Sequence, residues 1–424
     1  MKHIIQLFRS VALSSMVGLS LVSCSDFLEI KPRDIVTEDN FWNEKTDVEQ
    51  MVTGCYTAMQ ADGFITRCVL WGEGRSENLQ PSTTLQGDDY NLYQIMRENL
   101  LPSNPYTSWL SFYYVINKCN TIIKMAPLVS EKDPAYRESD VKATIAEMTA
   151  LRSLCYFYLI RTFDEVPFYR DAVQQEDEVK AIPASSFDYV LNEIIKDLES
   201  VKGDAILHYA KANSSDQLGG TYYSDVNRIT RTSINAMLCD MYLWKGDNAK
   251  AIECADAVIA QKADDYEEEF GKQTGMSLRS PKLLASAYGT TTAYLYQATQ
   301  DRPSTVFDEI FGTGNSFESI FELNFGYQGE GSNLAQSTAL GRLYGEFKSK
   351  DSNNGAGHLR PSTDIISEAN NGEFGGFWVN RYDTRFYNSL QATDSRYTNG
   401  MIRKGVVSGY DLLTNTGDNA SQIP

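Results

Sequence analysis

The sequence predicts a mostly α protein: a slab of tetratricopeptide-like helix pairs with an irregular, loop-rich region. Three observations carry that expectation. Apolar residues recur at helical spacing up to about residue 262, one helix–turn–helix places small residues on its facing sides, and glycine crowds the final third. The first stripe is Val48, Met51, Val52, Cys55, Tyr56 and Met59, with a capping box expected at Thr46 and Glu49 and a stop at Gly63. A second segment, Leu110 to Met125, puts Tyr113, Ile116, Asn120 and Ile123 on one face. Ile145, Met148, Leu151, Cys155, Tyr158 and Thr162 make a third stripe. The fourth is Phe187, Val190, Leu191, Ile194, Ile195, Leu198 and Val201, started by Pro183, Ser185 and Asp188 and followed by Gly203.

A helix pair follows. Ile234, Ala236, Met237, Met241 and Tyr242 precede Gly246-Asp247, and Ala251, Ile252, Ala255, Val258 and Ile259 come after. Small alanines let two antiparallel helices approach, and such pairs bury their apolar faces only by stacking on neighbours. The repeat is irregular, so a generic helical bundle stays open beside three or more stacked pairs. Beyond residue 270 the stripes break up, and 19 of the 29 glycines lie there. The expected division is a leader over 1–23, a helical scaffold over 24–270 with a loop insertion at about 64–105, and an irregular region over 271–424. Loops held on a rigid scaffold are where binding residues gather; the plainer alternative is decoration.

Composition narrows the function. The chain has 424 residues and a formal charge of −18, and past residue 23 it carries 36 basic against 56 acidic residues. So acidic a body argues against a nucleic-acid partner. Histidine is limited to His3, His208 and His358, which disfavours a histidine base or a histidine-rich metal site. Lys2 and Arg9 precede an apolar stretch, Val11–Val22, too short to span a bilayer. It ends at Leu21-Val22-Ser23-Cys24, which looks like a bacterial lipobox whose Cys24 is acylated; a plain secretory signal is the alternative. Cys55, Cys68, Cys119, Cys155, Cys239 and Cys254 show no C-x-x-C spacing and read mostly as small buried hydrophobes.

No enzyme constellation is present in the motifs. There is no G-x-x-x-x-G-K-[ST], no G-x-S-x-G and no H-E-x-x-H, and Gly312-x-Gly314 lacks the third glycine of a dinucleotide loop. A glycosidase would need two carboxylates at catalytic separation, which only a structure can place. The expectation is a protein without catalysis, cofactor or metal.

From Cys24 onward the chain resembles the SusD/RagB-type nutrient-binding lipoproteins of Bacteroidetes. The resemblance is carried by Cys24-Ser25-Asp26-Phe27-Leu28-Glu29-Ile30-Lys31-Pro32, Phe41-Trp42 and Gly54-Cys55-Tyr56. It continues through Trp109, Tyr113, Ile116, Asn117 and Asn120, then Ala150-Leu151-Arg152, Tyr156-Phe157 and Val166-Pro167-Phe168. Ser185–Val201 and Thr230–Ile259 match the next family helices, so the motifs run in order from residue 24 to about 260. The chain departs from the family in having Asp164-Glu165 where Gly-Asp is usual. It also stops at Pro424, soon before a further family helix, so a fragment or an early-terminated product lacking the last helix pair is expected.

The resemblance implies an outer-membrane, surface-exposed lipoprotein that captures oligosaccharides, or in some members peptides, for a SusC-type TonB-dependent transporter. The helical repeats would pack on the transporter and the irregular region would face the ligand. Sugar capture calls for aromatic faces that stack on C–H surfaces and for polar groups that fix the hydroxyls. Trp71, Arg75, Glu77 and Asn78 form the best local cluster and align loosely with a family binding loop; the alternative is a loop packed on the helices with Arg75 in a salt bridge. Tyr288, Tyr294, Tyr296, Tyr327 and Trp378 lie in the region where family binding aromatics sit. Trp42 and Trp109 are expected to pack, and Asn117 and Asn120 to satisfy backbone groups. An envelope adaptor without a small ligand and a lipid-anchored glycosidase are the competing functions.

Overall fold

The structure, a computed structural model, describes residues 41–76, 79–81, 88–174, 178, 181–209, 227–270, 319–323, 339–340, 343, 358–361, 366–368 and 377–379. The described residues are predominantly helical, as the stripes require. They form α1 (Lys45–Met59), α2 (Asp62–Trp71), α3 (Asp88–Met96), α4 (Leu110–Ser130), α5 (Glu138–Phe163), α6 (Phe187–Val201), α7 (Arg231–Lys245) and α8 (Asn248–Phe270). Packing runs α1 on α4, α4 on α5, α5 on α6, α6 on α7 and α7 on α8. Phe41–Asn43 belong to a unit separate from the body that begins at Glu44; in it, Phe41 and Trp42 meet edge to face at 5.2 Å.

Helix ends follow local chemistry, with shifts from the sequence reading. In α1 the side chain that reaches back is Asp47, whose Oδ2 accepts the Glu44 N–H at 2.8 Å, so the helix starts before Thr46. Gly63 does not stop α1. The chain turns at Gln60-Ala61, and Gly63 falls in the first turn of α2. The cap of α6 is Ser186, because Ser185 is drawn into a short β pairing with Val166. Gly246, at φ +80°, ends α7 in the left-handed conformation that glycine tolerates without a Cβ clash, and Asp247 N–H closes onto the Tyr242 carbonyl at 2.9 Å.

The segment read as a loop insertion contains α2 and α3. Phe64, Ile65, Leu70 and Trp71 are buried, and Arg67 binds the Gly63, Pro105 and Ser108 carbonyls at 2.7 Å each, tying the end of the insertion to α2. Strand β1 (Leu79–Pro81) pairs antiparallel with β4 (Leu359–Pro361), so part of the region beyond 271 returns to this insertion. Strands β2 (Val166–Pro167) and β3 (Ala184–Ser185) form a second pair, and β5 (Ile366–Glu368) and β6 (Phe377–Val379) a third.

Among the described residues Glu147 and Arg152 are the most deeply buried charged groups. Glu147 of α5, 3% exposed, takes both guanidinium arms of Arg228 at 2.8 and 2.6 Å and the Tyr56 hydroxyl at 2.6 Å. Arg152, 5% exposed, donates to Asn120 at 2.9 Å and to Asp197 at 3.0 Å. Asp197 also receives Arg170 at 3.0 and 2.8 Å. Burial lowers the pKa of Arg152, partly offset by the Asp197 charge. Burial also opposes the Arg228 charge, but hydrogen bonds and the charge of Glu147 outweigh it, and its pKa is raised.

Candidate functional site

Side chains of α4 and α5 build a splint. Tyr113 donates its hydroxyl to the Pro167 carbonyl at 2.6 Å. Tyr156 donates to the Tyr169 carbonyl at 2.9 Å and accepts the Tyr169 N–H at 2.7 Å. Asn117 donates to the Val173 carbonyl and accepts the Val173 N–H, both at 2.8 Å, while Asn120 donates to the Asp171 carbonyl at 3.1 Å. Every second residue from Pro167 to Val173 is thus held in register by a side chain of the scaffold. These bonds are partly buried, and a typical hydrogen bond of this kind contributes about 0.5–1.5 kcal/mol net. Asn117 and Asn120 play the structural part read from their place on an apolar stripe. Trp109 packs as well, with its ring 5.4 Å from Phe163.

Trp71 requires a correction. It is 4% exposed, stacks on Phe112 at 4.8 Å and 27°, and meets the edge of Phe163 at 5.0 Å. Its indole N–H donates to the Tyr106 carbonyl at 2.9 Å. With one face covered, its edge abutted and its donor used, Trp71 is a core residue without a surface for sugar. Arg75 remains at the surface, reaching the Arg161 carbonyl at 3.5 Å and the Glu98 carboxylate at 3.4 Å. Both contacts are long, and its Nε is buried without a hydrogen-bond partner. Cys24, Glu77, Asn78, Tyr288, Tyr294, Tyr296 and Tyr327 lie outside the described residues. Trp378 lies on β6, its backbone opposite Ser367, and its side chain is outside the description.

A neighbouring group escaped the sequence reading. Arg161, at the end of α5, lies over the Phe157 ring at 4.1 Å and pairs with Asp240 of α7 at 3.5 Å. One turn beyond Asp240, Trp244 is 52% exposed, with Phe187 at 5.7 Å and Phe157 at 6.4 Å. The available signal was that Trp244 falls off the buried stripe of Ile234, Leu238 and Met241.

Strain lies next to this surface. Asp164 sits at φ 64°, ψ −63°, and Glu165 N–H bonds back to the Phe163 carbonyl at 2.7 Å, closing a three-residue γ-turn. Glu98 also has positive φ, at 60°. Such a conformation costs a non-glycine residue about 1–3 kcal/mol, against about 0.5–1 kcal/mol for the extra chain entropy of glycine. Asp164→Gly is therefore expected to raise stability by about 1 kcal/mol, read from the urea midpoint. An unchanged or lower midpoint would show that the turn is unstrained.

Among the described residues no three His, Cys, Asp or Glu side chains are grouped to hold a metal ion. Burial pushes the Cys119 and Cys155 thiols well up, leaving them protonated and unreactive. Among the described residues no helix is long and apolar enough to cross a membrane.

Comparison with known proteins agrees with the motif reading. No protein-family model matches the chain. It is 28% identical over 202 residues to SusD-like protein P38 of Formosa agariphila, covering 46% of this chain and 37% of that protein. It is 26% identical over 289 residues to SusD-like protein P2 of the same organism, covering 66% and 53%. A SusD-like protein of Bacteroides ovatus is 23% identical over 264 residues, covering 62% and 44%. The matched part thus spans about half or less of these relatives' lengths. Among solved structures, a SusD superfamily protein of Bacteroides thetaiotaomicron aligns with a TM-score of 0.44 at 22% identity, covering 53% of this chain and 49% of that one. A laminarin-binding SusD-like protein aligns with a TM-score of 0.41 at 21% identity, covering 51% and 43%. The resemblance carried by the motifs is borne out by the SusD-like relatives.

Proposed function

We propose that the chain is a cell-surface glycan-capture lipoprotein, anchored to the outer membrane through Cys24, that passes oligosaccharides to a SusC-type TonB-dependent transporter and performs no catalysis. The observation that carries this reading is the similarity to curated SusD-like relatives, joined to the ordered family motifs from residue 24 to about 260. Arg75, Glu77, Asn78, Tyr288, Tyr294, Tyr296, Tyr327 and Trp378 stay candidates for ligand contact, and Trp71 does not. Capture of peptides by a RagB-like mode is the second reading, since the same resemblance admits it.

A ligand that binds only the folded state stabilises it by about 2.7 kcal/mol at one hundred times its Kd. For a protein of this size that corresponds to a rise in Tm on the order of 3 °C. The full chain is melted with a panel of oligosaccharides and a panel of oligopeptides. A saturable rise with one oligosaccharide class supports glycan capture. A rise with peptides alone replaces it with the second reading, and no rise with any sugar counts against it.

A further inference from the structure

We propose that Trp244 is the stacking platform of a glycan subsite on the helical scaffold, with Arg161 and Asp240 supplying its polar edge. The subsite rests on the glycan-capture reading, and it lies outside the loops from which that reading drew its candidates. Trp244 is a large apolar ring left 52% exposed at the end of α7. It is not loose. Phe187 tilts against it at 5.7 Å and 44°, and the buried Phe157 meets it at right angles at 6.4 Å. A ring fixed in this way loses little freedom on binding, so stacking on a pyranose C–H face is retained as affinity.

The surroundings select the ligand class. Asp240 lies one turn before Trp244, about 40° away around α7, and pairs with Arg161 at 3.5 Å. The carboxylate is half exposed and the guanidinium partly so, leaving acceptor and donor positions open for sugar hydroxyls. Leu243, the adjacent exposed apolar residue, points about 100° away around the helix and does not extend the platform. Protein interfaces are depleted of charge at their centres and bury about 800 Å² on each partner. A single braced indole beside a solvated ion pair fits a sugar ring better.

The test is affinity electrophoresis of the full chain through gels holding starch, a β-1,3-glucan, xylan or galactan. Retardation of the wild type by one of these, weakened at least about fivefold in Trp244→Ala and largely restored in Trp244→Phe, is the expected result. If Trp244→Ala does not melt cooperatively, Trp244→Gln is compared with Trp244→Phe, and the subsite requires only the ring-bearing variant to be retarded. Equal retardation of wild type and ringless variants overturns the subsite while leaving glycan capture standing. Absence of retardation in the wild type overturns both. A ringless variant retarded like the wild type but changed in assembly size on gel filtration overturns the subsite and reassigns the ring to a protein contact.

Discussion

Asp197→Asn is expected to lower the stability of the fold by about 3–5 kcal/mol, the cost of leaving a buried charge without its partner. Among the described residues Asp197 is the one acidic group hydrogen-bonded to Arg152, which also donates to neutral Asn120. The asparagine keeps the shape but removes the charge, and Arg170 loses one of two carboxylate partners in the same step, keeping Glu193 at 2.8 Å. Arg152 is 5% exposed, so water cannot replace the lost carboxylate. Denaturant unfolding of wild type and variant measures the effect, which corresponds to a fall in Tm of about 3–6 °C. A loss below about 1 kcal/mol would mean that Arg152 is solvated or re-paired. Arg170→Met serves as a control with a smaller expected loss, because Arg170 is at the surface and leaves the Arg152–Asp197 pair in place.

Arg228→Met is expected to cost about 3 kcal/mol by stranding Glu147, which among the described residues would keep the Tyr56 hydroxyl alone. The figure is at the low end because Arg228 itself is partly solvated. The damage should also spread. Arg228 lies over the Tyr209 ring at 4.3 Å, and Tyr209 donates to the Ile229 carbonyl at 3.0 Å, just before the Thr230 cap of α7. Hydrogen exchange should therefore accelerate at the start of α7 before it accelerates in α4. Uniform exchange rates with unchanged stability would contradict this placement of Glu147.

What the sequence showed depended on whether local chemistry was sufficient. The α6 stripe was legible because one face alone is buried, with Val190, Leu191, Ile194, Ile195 and Leu198 inward. In α5 the stripe located the helix but understated its burial. Neighbours α4, α6 and α7 pack around it, so Glu147, Thr149 and Arg152 are enclosed along with the apolar residues. Asn117 and Asn120 were legible because an amide on an apolar stripe needs partners, although the Val173 and Asp171 carbonyls that provide them are remote in sequence. Trp71 was misplaced because Gly72-Glu73-Gly74-Arg75 reads as a loop and α2 is too short to show a clear period. The Trp244 surface was illegible for another reason. Periodicity tells which side of a helix is buried but not what stands beside an exposed residue, and only the folded chain brings Arg161, Phe187 and Trp244 together.

The central claim is glycan capture without catalysis, and calorimetric titration of the full chain with defined oligosaccharides tests it most directly. The account predicts saturable binding of one oligosaccharide class, with the sugar recovered uncleaved at the end of the titration. No saturable heat with any oligosaccharide, from protein that melts cooperatively, would contradict capture, and shortened sugar in the recovered ligand would contradict the absence of catalysis.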